Sequence, residues 1–383
     1  MIHIIRIGLI LLITFGTGLR VLGAELFDTH QNVRALGMGN AYVSVVNDSE
    51  SLFYNPAGLA KVTGYYWKIF DLRIGLSGLD TVEKLSNLQS NSGFASAINE
   101  LYGENMFLAA GGQTAITTPF VTASLYMDGN VNISAENPAS PVMNLNYVLD
   151  TGVAAGFGFH LLPFFQMGFV LKSFNRNGVR KGYGLSELGE LDPAVFEGDL
   201  NNGGSAIALD LGMNIAIDSI ISPTLSFVWR NVGVTSIVPN STTTEAPPSD
   251  PEEMIVGASV VLDTPIVSMT PSFDFRYLNR ADVQLAKKIN FGIEFDFPFV
   301  ALRGGYSQGY YSAGATLGLG LLSIDAATWG VELGEAPGQL EDRRYMLQVT
   351  LELGFDLGFG GSGSGKGGSR GGSRGPRGLK KRR

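Results

Sequence analysis

The chain contains no cysteine, which excludes disulfide staples, thiolate metal ligands and cysteine nucleophiles. Histidine is nearly as scarce, with three in 383 residues. His3 lies in the amino-terminal leader, and the remaining His30 and His160 are too few for a histidine-built metal site. His160, in Gly156-Phe157-Gly158-Phe159-His160, reads as a strand residue near an interface. It alone could serve as the base of a serine hydrolase. The paired acids Glu187/Glu190, Asp192/Glu197 and Glu252/Glu253 fall in expected loops with no aromatic sugar platform beside them. A loop calcium site is the one metal chemistry such acids leave open. The reading is therefore of a non-enzymatic protein, with no catalytic residue, no metal and no cofactor expected. Long apolar runs are also missing. Ile7–Phe15 is the apolar core of the leader, too short to span a bilayer as a helix, and no later run approaches the ~18 residues a spanning helix needs. If this chain lives in a membrane, it does so as a closed barrel, because only helices and closed barrels satisfy their backbone in lipid.

What the chain has instead is alternation. Phe291, Ile293, Phe295 and Phe297 alternate with Asn290, Gly292, Glu294 and Asp296. Ile207, Leu209, Leu211, Met213 and Ile215 alternate with Ala208, Asp210, Gly212 and Asn214. Tyr345, Leu347, Val349, Leu351, Leu353 and Phe355 do the same. Successive side chains on a strand point to opposite faces, so each run has an apolar and a polar face. Runs of about ten residues with carboxylates, amides and glycine on the wet face are what a transmembrane β-barrel strand looks like. Apolar residues make up 45% of the chain and glycines number 51, far above ordinary glycine usage. Lumen-facing acids such as Asp210, Glu294 and Asp296 imply a polar interior.

The organisation follows. Residues 1–24 read as a secretory signal peptide, with Arg6 as its positive charge and small residues at Gly23 and Ala24 before the cut. Residues 25–65 form a segment without clean alternation. Residues 66–359 form the barrel, with a helical insertion near 80–102, where Val82, Leu85, Leu88, Ala95, Ile98 and Leu101 recur at helical spacing. Fourteen candidate strands are counted, beginning with Tyr66–Leu76 and resuming only at Thr118–Met127; Met143–Gly152 and Gly152–Leu161 are taken as two of them. An even total suits a bacterial barrel. Tight connections such as Phe297-Pro298-Phe299 alternate with long polar ones such as 175–204 and 233–253. Tyr65, Tyr66, Trp67, Trp229, Tyr310, Tyr311 and Trp329 are candidates for interfacial aromatic girdles.

Residues 360–383 form a disordered basic tail with ten glycines, eight Lys or Arg and no acid. Without tail and leader, 17 basic residues face 35 acidic ones, a net charge near −18. The tail imitates phosphate-binding loops, but no helix follows the glycines. Export also argues against nucleic acid as a partner; anionic envelope polymers, lipid headgroups or the acidic barrel suit its charge better.

The distinctive stretch is Asn32-Val33-Arg34-Ala35-Leu36-Gly37-Met38-Gly39-Asn40-Ala41-Tyr42, followed by Tyr54-Asn55-Pro56-Ala57-Gly58-Leu59. Gly37 and Gly39 permit a close approach of backbone to a wall. Asn55-Pro56 disfavours helix at Asn55 and forces a bend. A bent, small-residue segment of this kind suits a plug or hatch. The pairing of an R-x-x-G-M-G-x-A run (Arg34–Ala41) with Asn55–Leu59 resembles the amino-terminal signature of FadL/TodX-type outer-membrane proteins, and of their PorV/PorQ-type and uncharacterised spirochaete-type relatives. That resemblance implies a bacterial outer-membrane antiparallel barrel of about fourteen strands with an amino-terminal hatch. It further implies a hatch shaped by Arg34, Gly37, Gly39, Asn55, Pro56, Ala57 and Gly58, without chemistry of their own. FadL-type members pass hydrophobic small molecules through a lateral wall opening; PorV-type members serve protein secretion and surface attachment. The expected partners are outer-membrane lipid and either a hydrophobic small molecule or an envelope protein. A soluble secreted β-protein is the remaining reading.

Overall fold

The computed structural model describes residues 25–26, 28–78, 105–136, 142–184, 198, 200–240, 246–334 and 336–355. The leader, the expected helix near 80–102 and the basic tail lie outside the described residues. The described residues hold sixteen strands: β1 (Tyr65–Ser77), β2 (Asn105–Thr117), β3 (Val121–Glu136), β4 (Val142–Leu162), β5 (Phe165–Gly184), β6 (Gly203–Ala216), β7 (Thr224–Arg230), β8 (Val238–Pro239), β9 (Glu253–Ser259), β10 (Leu262–Asp263), β11 (Ser268–Phe275), β12 (Ile289–Asp296), β13 (Val300–Ser307), β14 (Tyr310–Leu319), β15 (Leu322–Glu332) and β16 (Glu341–Phe355). The two-residue strands β8 and β10 only decorate β6 and β11. The other fourteen pair antiparallel around a full circle, which β16 closes against β1 from Tyr65↔Phe355 to Ser77↔Arg344. Closure leaves no sheet edge unpaired.

The total of fourteen agrees with the alternation, but its composition differs in two places. β2 was not legible: its centre, Leu108-Ala109-Ala110-Gly111-Gly112-Gln113, has too few large side chains to alternate. Gly111 is small because it faces the Asp128 carboxylate, where a Cβ would stand 2.6 Å from Oδ1. Conversely, Gly152 does not divide two strands. β4 runs straight through it for 21 residues, and a Cβ there would stand 2.6 Å from the Cβ of its paired neighbour Phe174. Gly152 is a packing glycine in mid-strand, not a turn glycine.

Outward positions carry an apolar band around the circumference, including Leu72, Leu125, Leu171, Ile207, Leu302 and Leu347, all exposed. Inward positions are polar and buried: Asp210, Asn214, Glu294, Arg303 and Gln348. This inverts the ordinary soluble arrangement and is the pattern of a wall facing lipid. The expected girdle is split. Trp67 and Tyr311 point outward, whereas Trp329 is buried inside against Phe107, ring centroids 6.3 Å apart.

Six tight connections, at 118–120, 163–164, 217–223, 260–267, 297–299 and 320–321, gather at one end of the barrel. β1 begins and β16 finishes at this same end. The other end carries the two-residue turn 308–309 and the longest connections, such as 185–202 and 231–252.

Candidate functional site

The lumen is not empty. The chain between Asp28 and Val62 threads it as a short helix (Val33–Gly37) and two 3-10 turns (Ser49–Leu52 and Pro56–Lys61). Each has a side-chain N-cap: Asn32 Oδ1 accepts from Arg34 and Ala35 N, Asp48 accepts from Glu50 N, and Asn55 Oδ1 accepts from Ala57 N at 3.0 Å. Such caps satisfy amides that short helices leave open, which matters here because nearly the whole segment is shielded from solvent. Met38, Tyr42, Val46, Leu52, Phe53 and Leu59 form one apolar cluster with Tyr126, Ala154, Val170 and Phe174 of the wall.

Inward-facing glycines make room for it on two arcs of the wall. On β12–β14, Gly292, Gly305 and Gly314 face Gly37-Met38-Gly39. Gly39 has a positive φ of 61°, and a Cβ on it would stand 2.7 Å from Tyr306 N. A side chain there is excluded by backbone on one side and by conformation on the other. On β4–β6, Gly158, Gly168 and Gly212 face Leu59, Pro56 and Asn55 respectively. The signature residues thus sit in two glycine-lined seats. Arg34, Gly37 and Gly39 occupy the first. Asn55, Pro56 and Ala57 occupy the second, with Gly58 packed against Val46 and Ser51 of the segment itself. The sequence suggested close approach at Gly37 and Gly39; the wall glycines that receive them were not identifiable, because nothing in the sequence pairs residues 260 positions apart.

Polar contacts complete the attachment. Asn55 is fully buried; its Nδ2 donates to Val43 O (2.7 Å) and Asn214 Oδ1 (2.8 Å). Ion pairs reach strands on every side. Glu25 pairs with Arg344 of β16 at 2.7 Å, and Asp28 with Arg276, just beyond β11, at 2.9 Å. Arg34 pairs with Glu294 of β12 at 2.6 Å, and Glu50 with Lys68 of β1 at 2.8 Å. His30 stacks on Phe53 at 3.7 Å and places Nδ1 2.7 Å from Asp128 Oδ2 and Nε2 2.9 Å from Glu50 Oε2. Lys68 reaches Glu50 because β1 bulges there: register shifts against both neighbours turn Lys68 and Asp71 inward together, 3.1 Å apart. Burial pushes the Glu50 carboxyl up, but the Lys68 ammonium, with His30 and Arg73, outweighs it and holds the group well below the usual carboxylate range.

On the short-turn side of the segment lies a vestibule of about 1420 Å³. Apolar groups (Pro163, Ile217, Val261, Phe299, Leu321) share its lining with Asp48, Lys61, Glu294, Asp296, Arg303 and Asp325. Burial, aided by the nearby Arg34, pulls the Lys61 ammonium down to about 8; it donates to Ser44 O at 2.8 Å. Two further cavities, of about 40 and 60 Å³ and lined by His30 among others, hold little more than a water molecule or two.

The chain matches no protein-family model and no curated protein. Among solved structures it is similar to the Ralstonia pickettii toluene transporter TbuX, at 11% identity over 86% of this chain and 99% of that one, TM-score 0.50. It is also similar to the P. putida toluene transporter TodX, at 9% identity over 85% and 98%, TM-score 0.47. At such identities the likeness to TbuX establishes the fold and nothing finer: a closed, fourteen-stranded antiparallel barrel of the kind found in outer-membrane channels.

Two outcomes follow. Gly212→Val, whose Cβ would stand 2.8 Å from Ala57 N, is expected to destabilise the folded barrel by about 1–3 kcal/mol through overpacking. Gly304→Val, whose nearest neighbour would be 3.8 Å away, should leave it unchanged; the heat-induced mobility shift in gel electrophoresis reads both. Because Glu50 is held ionised, its contribution to stability is present above the ordinary carboxylate range and lost as pH falls through its lowered folded value. The unfolding temperature should therefore drop on acidification below about pH 4.5, and Glu50→Gln should lower it at neutral pH and flatten the acid limb.

Proposed function

We propose that the protein is a bacterial outer-membrane barrel through which small hydrophobic molecules pass passively, with residues 25–65 as a displaceable hatch. Arg34, Gly37, Gly39 and Asn55–Gly58 set the shape of that hatch and perform no chemistry. One observation carries the reading: among the described residues a 1420 Å³ vestibule stands on the short-turn side of the luminal segment, while the two cavities described on its other side measure only about 40 and 60 Å³. The vestibule is larger than the ~300–1,000 Å³ of ordinary ligand pockets. Nothing of ligand size crosses the lumen unless the segment moves.

The interior bears on the route. An axial path through this lumen would break buried ion pairs, and removing one partner of such a pair costs about 3–5 kcal/mol. A lateral path from the vestibule into lipid shortens the polar stretch to be crossed, and a solute reaches the vestibule when the segment moves. The β1 bulge supports such a path, because the ladder is interrupted on both sides at Lys68–Asp71, and Tyr66 and Lys68 line the vestibule beside it.

Cells exporting the protein should take up radiolabelled toluene or oleate faster than cells without it. Uptake of a polar solute of similar size should be unchanged. Equal uptake of the hydrophobic probes by both cell types would refute the reading.

A further inference from the structure

We infer that the short-turn rim of the barrel is itself embedded in lipid, so that the vestibule opens at the membrane surface rather than into bulk water. The inference rests on the membrane-barrel reading but not on what the barrel carries.

Three observations carry it. The first is composition. Every one of the six turns at this end presents a large apolar side chain at or beside its tip: Phe120, Leu162, Ile220, Ile266, Phe299 and Leu321, between 47% and 95% exposed. The same segments hold no Lys or Arg, and their only acids, Asp218 and Asp263, line the vestibule. The opposite end is mixed: in one connection Arg280 and Asp282 stand beside the exposed Leu278 and Leu285, while Lys287 and Lys288 are buried. The apolar rim is continuous with the outward band of the wall. A ring that encircles the whole mouth fits a lipid surface better than a partner docked on one side.

The second is height. β7 and β9 have seven residues, and β11, β12 and β13 have eight. At ~3.4 Å per residue and a tilt of ~40°, such strands rise only about 18–21 Å, short of the ~25 Å apolar band of an outer-membrane barrel. On this arc the exposed Ile220 and Ile266 at the turns add apolar height beyond the strands.

The third is backbone satisfaction. Lipid offers no partners, so any backbone group placed there must be bonded within the protein. The carbonyls of Phe120, Phe164, Ile221, Phe299 and Leu321 accept from Gly158, Ala216, Val261, Gly318 and Glu352 N, at 2.7–2.9 Å. Thr118 and Thr264 close their own turns onto the carbonyls of Val121 and Val267 through both backbone and hydroxyl. Four of the six turns thus accept a bond from the next strand, and a fifth, through Ile221, accepts one from Val261 of the neighbouring turn.

The absence of cysteine makes the test direct. Single variants Ile220→Cys and Phe299→Cys on the rim, Leu171→Cys on the wall and Leu285→Cys at the opposite end are labelled with a nitroxide. The refolded chains are placed in phosphatidylethanolamine–phosphatidylglycerol vesicles, and collision with oxygen and with a water-soluble nickel chelate is measured. The rim labels should show an oxygen-to-nickel ratio close to that of Leu171→Cys and several-fold above that of Leu285→Cys. A rim ratio equal to that of Leu285→Cys would overturn the inference. Exclusion of both reagents from the rim would also overturn it, showing that a second copy of the chain covers the mouth. If Leu171→Cys itself reads as aqueous, it is the membrane-barrel reading that fails.

Discussion

A charge inside a closed barrel has to be paired, and the rest of this structure depends on how that is done. The wall turns Lys68, Arg73, Asp128, Glu294, Arg303 and Arg344 inward, where burial leaves each dependent on an opposite charge. Several of those partners are carried by the luminal segment: Glu25, Asp28, His30, Arg34 and Glu50. Segment and wall therefore complete each other. The wall pairs much of its charge within itself, Lys68 with Asp71, Arg73 with Asp128, Glu294 with Arg303 and Arg344 with Asp342, and the segment adds further partners to these groups; the segment without the wall has too few residues to bury its own apolar side.

Shape enforces the same pairing. Glycines on two arcs of the wall receive Gly37-Met38-Gly39 and Asn55-Pro56-Ala57, so the segment is held at both ends of its path by backbone-to-backbone contact. Much of the glycine content that marks this sequence goes to these seats and to mid-strand packing, not to turns. The contrast with the exterior sets the functional picture. Outside, the band is apolar and continues over the short-turn rim. Inside, the ion pairs make the axis a poor path for an apolar solute, and the open volume lies beside the wall at one end.

Alternation of apolar and polar residues along β6, β12 and β16 makes the barrel legible, because a wall between lipid and a polar lumen must alternate; the strand total agrees because a missed β2 and a divided β4 cancel. Where the inward residue has to be small, the signal failed. β2 was invisible because Gly111 yields space to Asp128, and β4 was divided at Gly152, whose hydrogen replaces a side chain beside Phe174. Trp329 was placed in a girdle because composition cannot tell a wall aromatic facing lipid from one packed on Phe107. The candidate site was half legible. Gly37, Gly39 and Asn55-Pro56 announced a bent, closely packed segment. Glu50, His30 and the bulge that brings Lys68 to them did not, since ion pairs between residues so far apart leave no local pattern.

The central claim is that residues 32–62 are a built-in part of the barrel interior and not a loose leader to it. Hydrogen exchange of the full chain in lipid nanodiscs, read by mass spectrometry, tests this most directly. The account predicts that amides of this segment, above all those near Gly39 and Asn55, exchange as slowly as those of β4 and β5. Exchange at the rate of an unstructured peptide, while the wall stays protected, would contradict it.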